Sequence, residues 1–277
     1  MQRLKDQVAI VTGGAQGLGG AISRRLADEG ARVLIADIDL DTAEANAAGI
    51  RESGGVALAL RTDVSQGRDL RQAVEEAVEQ WHRLDILVNN AFEVSSAGSG
   101  GALDVPETVW QQGMDILVKA IYLGAKYAIP QMKKVGRGSI VNISSVHGLL
   151  MAPGMMVYET AKAAAIGITR QMATEFGPDG IRVNAILPGH MVTERLRSRW
   201  EENPSGLRFF ADQYPLRRVG TMVDITNGAV FLCSEEASFI TGHSLVIDGG
   251  LSIQLQEDFG VRQANYVQQN PDLKIPD

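Results

Sequence analysis

Short apolar runs and amphipathic stretches alternate along this chain up to about position 252. Val8-Ala9-Ile10-Val11 is apolar at every position, as a strand buried on both faces must be. Strand-like runs, mostly apolar, recur at Arg32 to Ala36, Val56 to Leu60, Ile86 to Val88, Ile140 to Ile143, Ile181 to Ile186 and Leu245 to Ile247. Between them lie helical patterns: one with Ile22, Leu26 and Ala27 that ends at Gly30, then Asp41 to Glu52 and Asp69 to Trp81. A long one runs from Pro106 to Met132, with Gly113, Gly124 and Pro130 as its weak points. Two more run through Tyr158 to about Phe176 and from Thr221 to Leu232. Strict alternation predicts an α/β fold, a doubly wound parallel sheet with helices on both faces. The stretch from Met191 to Tyr214, broken at Asn203-Pro204-Ser205-Gly206, precedes the final helix and is expected to form a helical lid over the cleft. Residues 1–252 are therefore expected to make a single domain, with the lid at about 191–214 and a C-terminal extension at 253–277. That extension is polar, but Phe259, Val261, Tyr266 and Val267 are anchors for docking on its own subunit or a neighbour.

Two stretches carry candidate chemistry. The first strand ends in Thr12-Gly13-Gly14-Ala15-Gln16-Gly17-Leu18-Gly19, and a helix follows. Strand, glycine-rich turn and helix form a phosphate cradle, because glycines admit close backbone approach and a helix N-terminus attracts negative charge. The second strand ends at Asp37, where a carboxylate can accept hydrogen bonds from adenosine ribose hydroxyls. The same charge repels a 2′-phosphate, and neither Gln16 nor Ile38 supplies a cation to hold one, which points to NAD over NADP. Asp63 sits where a strand-end side chain meets an adenine amino group, and Asn89 and Asn90 end the fourth strand.

The second stretch is Gly138 to Lys162. Ser145 follows the fifth strand, Tyr158 comes thirteen residues later, and Lys162 one helical turn beyond that. Tyr158 and Lys162 share a helix face. An ammonium beside a phenol favours the phenolate and is expected to lower the tyrosine pKa toward working pH. Such a tyrosine exchanges a proton with an alcohol or ketone oxygen, which Ser145 can hydrogen-bond.

Composition narrows the partners. A net charge of −7 argues against nucleic acid or an anionic membrane. The one cysteine, Cys233, cannot form an internal disulfide. With no signal-peptide layout and no run of about 18 apolar residues, the expected place is the cytoplasm. No metal site is expected.

The motifs TGGAQGLG, Asp63-Val64, NNA, NISS, YETAK, the Pro188-Gly189 turn and ITGHSLVIDGG, in this order, resemble the short-chain dehydrogenase/reductase family over residues 5–252. The resemblance implies a Rossmann fold, NAD(P)(H) binding, and hydride transfer between the nicotinamide and a secondary alcohol or ketone. It implies catalytic roles for Ser145, Tyr158 and Lys162, with Lys162 also holding the nicotinamide ribose. Thr12, Gly13, Gln16, Gly17, Leu18 and Gly19 match the pyrophosphate turn, and Asp63, Val64 and Asn90 the adenosine side. Pro188, Gly189, Met191 and Thr193 match the nicotinamide side. Family members are commonly homotetramers, and the same is expected here.

Two positions depart from the family pattern. Phe92 follows Asn89-Asn90-Ala91 where glycine is usual. Leu117 stands seven positions after Trp110, where the family has an asparagine that holds a proton-relaying water. Leucine cannot do this, so the relay must run otherwise or be impaired. An NAD-binding sensor or assembly subunit with little turnover is the alternative of another class. For substrate, His147 and His190 are candidates to border the pocket, as is an apolar rim of Leu149, Leu150, Met151, Met155 and Met156. Arg195, Arg197, Arg199 and Arg208 in the lid would suit an anionic group. A sugar, polyol or hydroxy acid is expected first, a 3-oxoacyl thioester second and a cyclic alcohol third.

Overall fold

The computed structural model describes residues 2–93, 98–192 and 200–275. All seven predicted strands form: β1 (Val8–Thr12), β2 (Arg32–Asp37), β3 (Val56–Arg61), β4 (Ile86–Asn89), β5 (Gly138–Ile143), β6 (Ile181–Pro188) and β7 (Ser244–Ile247). They make one parallel sheet in the order β3-β2-β1-β4-β5-β6-β7. The chain winds outward from β1 to β3 and then crosses back to place β4 beside β1. That reversal opens a crevice at the carboxyl ends of β1 and β4, where open α/β sheets bind ligands.

Period-two alternation within each strand divides the core. Ala9 and Val11 of β1 face α1 (Gly17–Asp28) and α8 (Met222–Cys233), in a cluster with Ile22, Leu26, Ile225 and Val230. Val8 and Ile10 face the other layer, with Val74 of α3 (Gly67–Trp81), Ile129 of α5 (Ala120–Val135) and Met172 of α6 (Met156–Phe176). A buried polar chain crosses the sheet. The Asn89 amide donates to Asn142 Oδ1 at 2.8 Å, and the Asn142 amide to Thr169 Oγ1 at 2.9 Å. Asn89 thus points into the protein, and only Asn90 of the pair remains at the crevice.

The remaining helices are α2 (Leu40–Glu52), α4 (Glu107–Met114), α7 (Pro204–Gln213) and α9 (Gln256–Gln269). The long helical pattern is interrupted, but at neither glycine nor at Pro130, which lies inside α5. A π-helical turn, Asp115–Lys119, joins α4 to α5 and packs against α6. The Asn203-Pro204 break begins α7: Asn203 accepts the Gly206 N–H at 2.9 Å, and Pro204 occupies the first turn. The C-terminal stretch is also ordered on its own chain. Its α9 lies against α7 through Tyr266 on Phe209, ring centroids 5.9 Å apart, and Gln263 donating to Asp212 at 3.0 Å. Among the described residues no helix is long and apolar enough to cross a membrane, and no cluster of His, Cys, Asp or Glu could hold a metal.

Candidate active site

The end of β1 is built by side chains that tie it to β4. Thr12 Oγ1 donates to the Val88 carbonyl and accepts the N–H groups of Asn90, at 3.1 Å, and Ala91, at 3.3 Å. The Asn90 amide donates to the carbonyls of Thr12 and Gly13, at 3.1 and 3.0 Å. Helix α1 leans on this brace: a Cβ at Gly19 would lie 2.0 Å from the Gly13 oxygen and 2.3 Å from Asn90 Nδ2. Gly17 has a φ of +56° and faces open space, so its backbone can meet a ligand without a side chain in the way. The α1 N-terminus has no side-chain cap bond from Gln16 and no acid in its first turn. Its N–H groups and the positive end of the helix therefore suit an anionic group such as a pyrophosphate.

Asp37 lies beside this turn. Its carboxylate accepts the N–H groups of Ala15 at 2.9 Å and Asp39 at 3.1 Å, so it helps fold the cradle it borders. Asp63 holds Ser65 through N–H and Oγ bonds of 3.0 and 2.7 Å, and Val64 is buried. Leu18 packs on the core. After β6, the Gly189 N–H donates to Ile247 and Met191 bridges to Gly220. Thr193, Arg195, Arg197 and Arg199 lie outside the described residues, and Arg208 is exposed on α7.

Across the crevice, β5 and α6 are joined at two points. Ser144 Oγ donates to the Lys162 carbonyl at 2.7 Å, and Lys162 Nζ donates to the Ile143 carbonyl at 2.8 Å. Ser145 opens the turn Val146–Gly148, accepts the His147 N–H at 3.2 Å, and hydrogen-bonds Tyr158. Lys162 Nζ lies 5.6 Å from the Tyr158 ring centroid. Ser145, Tyr158 and Lys162 therefore do meet. The expected electrostatics do not hold for the protein alone. Burial raises the Tyr158 pKa, the Ser145 hydrogen bond opposes this, and the Glu159 charge adds to it. Lys162, itself buried, falls from 10.5 to about 8. Desolvation of both groups outweighs the attraction that their spacing suggested.

Two rings flank Tyr158 edge-on. Phe92 stands 5.8 Å away and His147 5.7 Å, by ring centroids. Phe92 thus forms a cleft wall beside the tyrosine. His147 is held by Glu159, whose buried Oε1 meets Nδ1 at 2.8 Å and accepts the Ala152 N–H at 2.7 Å. The sequence reading passed over Glu159, although it directly follows the tyrosine in YETAK. His190 has a different setting: its ring makes a three-ring cluster with Trp200 and Phe210, and its backbone N–H donates to Tyr214 Oη at 2.8 Å. Leu149, Leu150, Met151 and Met156 are exposed and so not core, and Met155 is half-buried. Leu117 is buried in the π turn against α6.

Comparison with known proteins agrees with this architecture. Residues 13–252 match the family model described as enoyl-(acyl carrier protein) reductase. The chain is 40% identical over 251 residues to 2,5-dichloro-2,5-cyclohexadiene-1,4-diol dehydrogenase LinX of Sphingobium indicum, covering 91% of this chain and 98% of that one. It is 36% identical over 259 residues to human dehydrogenase/reductase SDR family member 4, covering 91% and 90%. The crystal structure of gox2181 superposes with a TM-score of 0.82 at 31% identity, covering 91% and 98%. With a glycine cradle at the sheet's switch point and a serine, tyrosine and lysine facing it, this chain belongs to the short-chain dehydrogenase/reductase family and is an oxidoreductase acting on CH–OH groups.

Proposed function

We propose that the protein is an NAD-dependent dehydrogenase of a secondary alcohol, a sugar, polyol or hydroxy acid first among them. The observation that carries this reading is the convergence of Ser145, Tyr158 and Lys162 beside the cradle. Asp37 supports NAD, since its carboxylate borders the turn where a 2′-phosphate would otherwise lie. The bound nicotinamide supplies hydride acceptance or donation at the substrate carbon. Thr12, Gly13, Gln16, Gly17, Leu18 and Gly19 are its pyrophosphate side. Asp37, Asp63, Val64 and Asn90 are its adenosine side, and Pro188, Gly189, Met191 and Thr193 its nicotinamide side, with Lys162 on the ribose.

Ser145 orients the substrate oxygen, and Tyr158 exchanges the proton with it. In the protein alone the raised tyrosine pKa keeps that proton in place at neutral pH, the state that donates to a ketone. Alcohol oxidation needs the phenolate and should quicken toward alkaline pH. The 1,4-diol named for LinX keeps ring alcohols in the panel. The test is cofactor reduction followed by absorbance, with NAD⁺ and NADP⁺ separately, over sugars, polyols, hydroxy acids and cyclic alcohols. Turnover that favours NAD⁺ and disappears in Tyr158→Phe is expected. Turnover that survives Tyr158→Phe would overturn the catalytic assignment, and a preference for NADP⁺ the assignment to Asp37. We further propose a homotetramer, with residues 191–214 as lid.

A further inference from the structure

We infer that His147, held by Glu159, carries the alcohol proton from the Ser145–Tyr158 hydroxyl pair to bulk water. The inference rests on the catalytic reading above. A proton taken by Tyr158 has to leave before the next turnover. Lys162 is buried with its ammonium on the Ile143 carbonyl, and the side chain of Leu117, buried on the π turn against α6, carries no polar atom. His147 does reach solvent. Its side chain is 38% exposed, while its ring lies 5.7 Å from the Tyr158 ring by centroids, with 66° between the planes. It also belongs to the Ser145 turn, where its backbone N–H holds Ser145 Oγ.

Glu159 sets the ring's chemistry. Its Oε1 already accepts the Ala152 N–H, and the side chain is 7% exposed, so it meets His147 Nδ1 as an acceptor. The ring proton therefore sits on Nδ1, and Nε2 keeps its lone pair as a base. In the transfer, the Tyr158 O–H bond breaks as the Nε2–H bond forms, directly or through one water. The imidazolium, beside the Glu159 carboxylate, then gives its proton to bulk water. Glu159 is in this sense a positioning residue that acts through His147.

The experiment uses the full chain with the best alcohol of the panel, comparing parent, His147→Ala, His147→Gln and Glu159→Gln. His147→Ala should lower kcat by roughly 10²-fold with KM little changed. Added imidazole should restore part of that loss, and the solvent deuterium isotope effect on kcat should rise. His147→Gln keeps a side chain toward Glu159 but takes no proton, so it should show the same loss and isotope effect if the alanine variant does not fold. Glu159→Gln should fall between parent and His147→Ala. An unchanged kcat, a rise in KM alone, or a loss that imidazole cannot relieve would overturn the relay. If the parent turns over while His147→Ala matches it, the relay alone fails. If the parent oxidises no alcohol, the functional reading fails and takes the relay with it.

Discussion

Lys162 places a charge in the interior, so removing it should stabilise the fold while abolishing turnover. Burial lowers its pKa from 10.5 to about 8. At about 1.4 kcal/mol per unit, the charged form costs the fold about 3 kcal/mol relative to the neutral amine. Lys162→Met fills a similar volume without the charge. It also removes the Nζ bond to the Ile143 carbonyl, a loss of about 1 to 2 kcal/mol. The net gain at pH 7 is about 1 to 2 kcal/mol, or about 2–5 °C in Tm for a chain of this size. The pH dependence has a definite sign. Between about 8 and 10.5 the unfolded chain binds a proton at Lys162 that the folded one does not, so parent stability rises with pH across that window. The advantage of Lys162→Met should therefore be full at pH 7 and shrink by pH 10. Thermal unfolding of both proteins by circular dichroism at the two pH values measures it. A variant that melts at or below the parent at pH 7, or a Tm gap that is the same at pH 10, would refute the reasoning.

Other sites give independent expectations. Glu29, nearly buried and bound by Arg3 at 2.6 Å and Arg25 at 2.9 Å, has its pKa held at about 2. Its stabilisation of about 2 kcal/mol should be full above pH 4.5 and fade as pH falls toward 2, so Glu29→Gln and parent should unfold alike in urea at the acid end. Asp37→Ala should bring the kcat/KM for NADP⁺ at least about tenfold closer to that for NAD⁺ by removing a charge. It should also loosen the cradle, because the Ala15 and Asp39 N–H groups lose their acceptor. Tyr266→Ala should weaken the α9–α7 contact by about 1 kcal/mol, seen as roughly fivefold faster amide exchange in 256–269 with the core strands unaffected. Uniform acceleration across the sheet would show instead that the tail is part of the global fold.

Periodicity carried the fold because each of its cues is local. A strand buried on both faces needs an unbroken apolar run, and β1, β2 and β4 show one in the sequence. The cradle was legible for the same reason, since its glycines follow β1 within a few residues. The π turn at Asp115–Lys119 was not. Gly113, Gly124 and Pro130 weaken a helix on propensity, but the ladder changes where α4 and the turn itself pack on α6, which only the assembled layers determine.

The site electrostatics were misjudged for a related cause. Spacing along a helix reports which side chains share a face, and it placed Lys162 by Tyr158 correctly. It does not report how much water the pair loses, and here desolvation decides the direction of both shifts. Glu159 was missed because, one residue on from Tyr158, it lies off the face that Tyr158 and Lys162 share, and it meets His147 only once the Val146–Gly148 turn packs against α6. The tyrosine that begins as a proton holder and the lysine that resists its charge are two consequences of one dry site. A dry site also strengthens the case for a path by which protons leave it. With leucine at position 117, the half-exposed histidine beside the tyrosine is where the described residues provide that path.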